Sequence, residues 1–236
     1  MLSQHYIDMT SQKSAIRELF DYGSRRAKEI GYENVFDYSL GNPSVPAPQE
    51  FTDALLDLIQ NTDPVALHGY SPSLGIPSVR QAIADSLNRR FDMNFKIEDI
   101  FMAVGAAGAI AHAVRAVTVP GDEVITFAPF FPEYYHYVNA TGAVLKVVPA
   151  DITSFQINFD AFEEMITPKT MAVLINTPNN PSGIVYSTAT IKRLASILEA
   201  KSKEYGHVIY IISDEPYREI VFASADAPFV AKHYDN

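Results

Sequence analysis

Asp214 ends a run of apolar residues, 208–212, and is followed by Glu215-Pro216-Tyr217-Arg218. A carboxylate placed there is costly unless a positive or hydrogen-bonding group meets it. A protonated ring nitrogen would serve as that partner; so would an arginine or the start of a neighbouring helix. Upstream, Thr177-Pro178-Asn179-Asn180-Pro181-Ser182-Gly183 sets two asparagines before a proline, which offers amide donors on a stiff turn. Such a turn either lies on a plain surface or holds Asn180 at a fixed angle toward a ligand oxygen. Ala128-Pro129-Phe130-Phe131-Pro132-Glu133-Tyr134-Tyr135 is rich in rings. A ring here either packs into the core or stacks on a planar ligand, which is worth about 0.5–1.5 kcal/mol beyond area burial. Gly105-Ala106-Ala107-Gly108 precedes an apolar helical pattern. Small residues let the backbone approach a phosphate, and a helix start supplies unpaired N–H groups and a favourable dipole. A tight turn with no ligand is the alternative. The spacing is neither G-x-G-x-x-G nor a P-loop, which argues against a nicotinamide dehydrogenase.

These four segments share one feature: each follows a run that reads as a strand. Candidate strands cover residues 100–104, 123–127, 144–148, 171–176 and 208–213, and several lack polar alternation, as when helices cover both faces. Helical patterns fit between them at 106–117, 132–140, 159–166 and 188–205. That alternation predicts an α/β fold with a mainly parallel sheet flanked by helices. Ligands of such sheets gather beyond the carboxyl ends of the strands, which is where the four segments fall. Before residue 100, helices are expected at 14–30, 48–61 and 78–91. Residues 40–48, with Gly41, Pro43, Pro46 and Pro48, read as an extended crossing. The expected organisation is an N-terminal segment, 1–48, and a larger domain, 49–236.

Composition narrows the function. The 236 residues are 47% hydrophobic and 19% charged, the profile of a soluble globular protein with room for a core. A net charge of −10 argues against nucleic acid as the main partner. With no cysteine, disulfides, thiolate metal sites and cysteine nucleophiles are excluded, and no metal site is assigned. Residues 1–10 lack a signal-peptide apolar stretch, and the longest low-charge run, 101–114, is too short to span a bilayer. A cytoplasmic protein without a membrane partner is expected.

Taken in order, the motifs resemble the class I/II aminotransferases, pyridoxal-phosphate enzymes of the aspartate-aminotransferase-like fold. The resemblance runs from about Ser14 to Asn236. It rests on Ser39-Leu40-Gly41-Asn42-Pro43, Tyr70-Ser71-Pro72-Ser73-Leu74-Gly75, Val79-Arg80-Gln81-Ala82-Ile83, Pro120-Gly121-Asp122-Glu123-Val124, the Asn176–Gly183 turn and Ser213-Asp214-Glu215-Pro216-Tyr217. It implies transfer of an amino group between an amino acid and a 2-oxo acid through pyridoxal 5'-phosphate. Gly105, Ala106 and Ala107 would form the phosphate cup, with alanines where relatives often carry hydroxyls. Phe131 would stack on the pyridine ring, and Asp214 would pair with its nitrogen. Asn180 and Tyr217 would bind the ring hydroxyl. Asn180 and the Gly41 loop would approach the substrate carboxylate. Tyr70 would reach the cofactor phosphate of the neighbouring subunit in a homodimer with shared active sites. By the same resemblance, residues 1–48 carry part of a small domain and 49–236 an incomplete large one.

One family element has no counterpart. The lysine that forms the Schiff base follows the aspartate by some tens of residues in a Ser-x-Ser-Lys-like segment. Lys232 is the sole lysine after Asp214, and its Val230-Ala231-Lys232-His233 context does not match. The resemblance therefore implies the N-terminal part of a longer enzyme, inactive by itself. The family's strand order would also leave runs 100–104 and 208–213 as unpaired edges. A β-lyase on the same fold, or a non-catalytic pyridoxal-phosphate-binding regulatory module, are the alternatives.

Overall fold

Four of the five apolar runs pair into one parallel sheet. The strands are β1 (Glu123–Phe127), β2 (Val144–Val148), β3 (Thr170–Asn176) and β4 (Tyr210–Asp214), in the spatial order β2-β1-β3-β4. The structure, a computed structural model, describes residues 4–11, 15–39, 41, 45–222 and 226–236. Ser14, Leu40, Asn42 and Pro43 of the sequence motifs lie outside them.

The chain gathers into two compact units, Met1–Tyr70 and Ser71–Asn236. The first holds α1 (Gln4–Ser11), α2 (Ala15–Ile30), α3 (Gln49–Asn61) and α4 (Pro64–His68). Asp63 starts α4 by accepting from the Val65 and Ala66 N–H groups, with Pro64 at the first helical position. The sheet lies in the second unit with α5 (Pro77–Phe91), α6 (Gly105–Val117), α7 (Tyr134–Asn139), α8 (Phe159–Met165) and α9 (Thr188–Tyr205). The helix α9 begins on Ser187, whose side chain accepts from the Thr190 N–H, and stops at Gly206 with φ +75°.

Strand periodicity divides the core into two layers. Ile125, Phe127, Val173 and Ile175 pack with Phe162 of α8 and with Ile191, Leu194 and Leu198 of α9. Val124, Ala172 and Leu174 face the other way, onto Ile110 and Val114 of α6 and Tyr134 and Val138 of α7. Along β4, Ile211 joins the first layer, while Tyr210 and Ile212 join the second. The same alternation sends the side chain of Asp214 to the α6–α7 side and those of Ser213 and Glu215 to the opposite side.

Residues 100–104, expected as a strand, are extended but pair with no strand. Phe101 and Val104 are exposed, and the Met102 N–H donates to the Leu74 carbonyl at 3.3 Å instead of to a ladder. The apolar pattern is that of a strand, but a strand also needs a neighbouring strand, and among the described residues none pairs with this segment. Arg80, nearly buried, holds it instead: its guanidinium donates to the Ile97 and Ile100 carbonyls at 2.5 and 2.7 Å. As expected for residues 208–213, β4 is an edge of the sheet.

Candidate active site at the carboxyl ends of the strands

Asn176 and Asp214 are register partners at the ends of β3 and β4. The Asn176 side chain, 4% exposed, joins two of the segments singled out in the sequence. Its Nδ2 donates to the Asp214 carbonyl at 2.8 Å, and its Oδ1 accepts from the Asn180 N–H at 2.5 Å. Asn180 and Asp214 are thus tied to one buried amide.

The two asparagines of the turn divide the work. Asn179, 7% exposed, builds the turn: its Oδ1 accepts from the Ser182 N–H and hydroxyl, and its Nδ2 donates to the Pro129 carbonyl at 3.3 Å. That last bond links this loop to the ring-rich loop after β1. Both loops carry cis prolines, at Pro129, Pro178 and Pro181. The Asn180 side-chain amide, half-buried, makes no hydrogen bond among the described residues.

Tyr134 is fully buried, and its hydroxyl donates to Asp214 Oδ2 at 2.7 Å. Phe131 meets the Tyr134 ring edge-on, with centroids 5.8 Å apart, and stays half-buried. Burial pushes the Asp214 carboxyl above its ordinary value; the Tyr134 bond acts against that, and the neighbouring Glu215 charge adds to it. Burial, then the Asp214 bond and charge, raise the Tyr134 phenol well above its ordinary value, so it stays a donor. Among the described residues Asp214 Oδ1 accepts no hydrogen bond. A half-buried carboxylate with one open oxygen and, among the described residues, no cation paired with it fits a protonated ring nitrogen.

Tyr217 lies on the exposed turn after β4, three residues beyond Asp214. Gly105, Ala106 and Ala107 form the exposed first turn of α6, which has no side-chain cap. The Gly105 N–H is taken by the Ala103 carbonyl at 3.1 Å, whereas the N–H groups of Ala106 and Ala107, in the uncapped first turn, are open donors among the described residues. This helix packs against α7 and β4. Gly41 and Tyr70 belong to the first unit and are exposed there. Sequence reasoning passed over Tyr134 and Asn176 as site residues. Both sat inside quoted motifs, but only the fold shows what they touch.

Residues 33–236 match the family model described as aminotransferase class I and II. A crystal structure of an amino transferase from Eubacterium rectale is 51% identical, with a TM-score of 0.96, over all of this chain and 60% of that one. Aspartate aminotransferase from Thermus thermophilus with maleate is 25% identical, with a TM-score of 0.82, over 98% of this chain and 57% of that one. A probable N-succinyldiaminopimelate aminotransferase from Mycobacterium tuberculosis is 33% identical, over 86% of this chain and 48% of its own length. The chain spans about half the length of the curated relatives it matches.

Proposed function

Because this chain belongs to the class I and II aminotransferases, we propose that the protein containing it moves amino groups between an amino acid and a 2-oxo acid with pyridoxal 5'-phosphate. The observation that carries the reading is the Asp214 carboxylate: buried in part, oriented by Tyr134, and open at Oδ1. Bound there, the cofactor supplies an electron sink for the charge left when a substrate α-proton departs.

Asp214 holds the pyridine nitrogen protonated by offering it a counter-charge. Phe131 covers a ring face, and Asn180 and Tyr217 donate to the ring hydroxyl oxygen. Of the Gly105-Ala106-Ala107 turn, the N–H groups of Ala106 and Ala107 bind the phosphate, since Ala103 holds that of Gly105; two alanines remove hydroxyl donors, so the backbone carries that task. Asn180 and Gly41 serve the substrate carboxylate. Tyr70 serves the phosphate of the neighbouring subunit in a homodimer. Residues 1–48 belong to the small domain and 49–236 to the large one. The Schiff-base lysine, which shuttles the proton, comes from sequence outside this chain. A chain without cysteine suits a reducing cytoplasm, and no described helix is long and apolar enough to cross a membrane.

The test is an assay of the complete protein with pyridoxal phosphate, a panel of amino acids and 2-oxoglutarate. Keto-acid formation that depends on the 2-oxo acid supports transamination. Ammonia released without an acceptor would move the reaction to elimination, and no cofactor uptake would end the reading.

A further inference from the structure

Asp214 is flanked by two side chains that never touch its carboxylate. Ser213 Oγ donates to Glu215 Oε1 at 2.6 Å. Arg218 closes a fork on Glu215 Oε2, with Nε at 2.8 Å and Nη2 bonded to the same oxygen. The guanidinium also donates to the Ala227 and Pro228 carbonyls at 2.6 and 2.9 Å. It sits over the rings of Phe91 and Phe229, 5.2 and 5.1 Å from their centroids, and those two rings stack at 4.3 Å. The Arg218 and Glu215 side chains are only 10% and 16% exposed. An ion pair this enclosed is strongly coupled to its surroundings, and losing one partner strands the other charge.

We propose that Arg218 is a positioning residue for Asp214, acting through Glu215 to fix the main chain on both sides of that carboxylate and to cancel the negative charge beside it. The proposal rests on the reading of Asp214 as the ring-nitrogen partner. Strand alternation makes the arrangement possible, because Ser213 and Glu215 face away from Tyr134 while Asp214 faces toward it. The carboxylate is then gripped directly from the α7 side and indirectly from the other. The Arg218 grip reaches further. The segment after Pro228 is tied to β4 by the Ile211 N–H on the Asn236 carbonyl at 3.2 Å, to the residue before that strand by the Tyr234 hydroxyl on the Ile209 carbonyl at 2.6 Å, and to α5 by Lys232 on the Phe91 carbonyl at 3.1 Å. Arg218 thus sits where the turn, the end of α5 and the returning segment meet.

The charge argument has a definite sign. Glu215 raises the Asp214 carboxyl, so removing Arg218 exposes Asp214 to an uncompensated neighbour, and removing Glu215 leaves a cation near it. The other group acting on Asp214 is Tyr134 from α7, and the Asp214 charge acts in turn on Tyr134 and Tyr137 of that helix, while Tyr217 lies on the turn that follows. The helix α6, packed on β4, carries His112 and Arg115, and β3 contributes the neutral Asn176.

The experiment uses the complete protein and two readouts. One is the titration of the Asp214 carboxyl by isotope-edited infrared spectroscopy before cofactor is added, assigned by its absence in Asp214→Asn. The other is the pyridoxal-phosphate dissociation constant against pH. In Arg218→Met the Asp214 midpoint moves up by about half to one pH unit, and binding at acid pH weakens by roughly three- to tenfold. In Glu215→Gln the midpoint moves down. In the double variant it returns toward wild type, since both charges have gone. A brace without electrostatic effect would lower the melting temperature and leave the midpoints alone. Unmoved midpoints in folded variants overturn the proposal. Should Arg218→Met fail to fold, Glu215→Gln and the double variant still decide it. If the wild-type protein takes up no cofactor, the functional reading fails, while the Asp214 titrations still judge Arg218.

Discussion

The Tyr134 hydroxyl donates to Asp214 Oδ2 at 2.7 Å, joining a helix that follows β1 to the end of a strand 80 residues later. One partner is fully buried, and the other keeps an open oxygen. Burial works against the charge on Asp214, and Tyr134 works for it. Tyr134→Phe keeps the ring and removes only the donor. The expected result is an Asp214 titration displaced upward, and a stability loss of about 1.5–3 kcal/mol where Asp214 is ionised, as for a hydrogen bond to a charged group. Chemical denaturation at pH 8 and infrared titration would measure the two effects. Tyr134→Ala also empties the core beneath the site, at a cost of roughly 3–5 kcal/mol by analogy with other aromatic truncations.

Asp214→Ala should cut turnover of the complete enzyme by about 10²-fold or more, since a positioned charge is lost from the reacting centre. Much of the cofactor affinity should remain, because the phosphate and ring contacts persist. Steady-state kinetics beside a cofactor-binding titration would separate the two. Turnover at the wild-type level would show that Asp214 is not the carboxylate at work.

The same group makes a prediction about stability and pH. The folded Asp214 carboxyl titrates above its ordinary value of 3.8, so the native state keeps the proton longer than the unfolded chain. Its contribution to stability therefore falls as pH rises from that ordinary value through the raised one. Asp214→Asn should melt a few degrees above wild type at neutral pH, and the gap should close as pH falls below 3.8. The size is limited by the partial exposure of the site. A gap that widens on acidification would reverse the sign argued here.

Asn176→Ala removes two hydrogen bonds at once, freeing the Asn180 turn from β4. We expect a stability loss of about 1–3 kcal/mol and weaker cofactor binding, with the two losses measured by denaturant melts and fluorescence quenching. Gly75→Ala tests the other approach to the site. Gly75 has φ +101°, and an added Cβ would lie 2.2 Å from Met102 Cγ, in the segment that leads to α6. A destabilisation of about 1 kcal/mol or more is expected from the backbone conformation alone. A melt matching wild type would show that neither the backbone conformation nor Met102 resists the added methyl group.

Sharing of the active site can be read by complementation. Tyr70→Ala and Asp214→Ala subunits, each impaired alone, should recover roughly a quarter of wild-type activity when mixed and allowed to exchange, because random pairing rebuilds one intact site in half of the symmetric dimers. No recovery despite proven exchange would place Tyr70 in its own subunit's site or in none.

The sequence by itself determined the strand–helix alternation, four of the five runs expected as strands and the loops that carry the candidate site. Those features depend on local periodicity and on proline, glycine and asparagine in turns, which act within a few residues. The fate of residues 100–104 could not be read that way, since a strand exists only where another backbone runs beside it, and here Arg80 takes that place. Which asparagine builds the turn and which stays free, what holds Asp214 on its two sides, and how Asn176 joins the two loops were decided by the tertiary structure alone. Each depends on partners brought together by strand register and by the burial of two faces, and distance in space, unlike spacing along the chain, is not written in a local pattern.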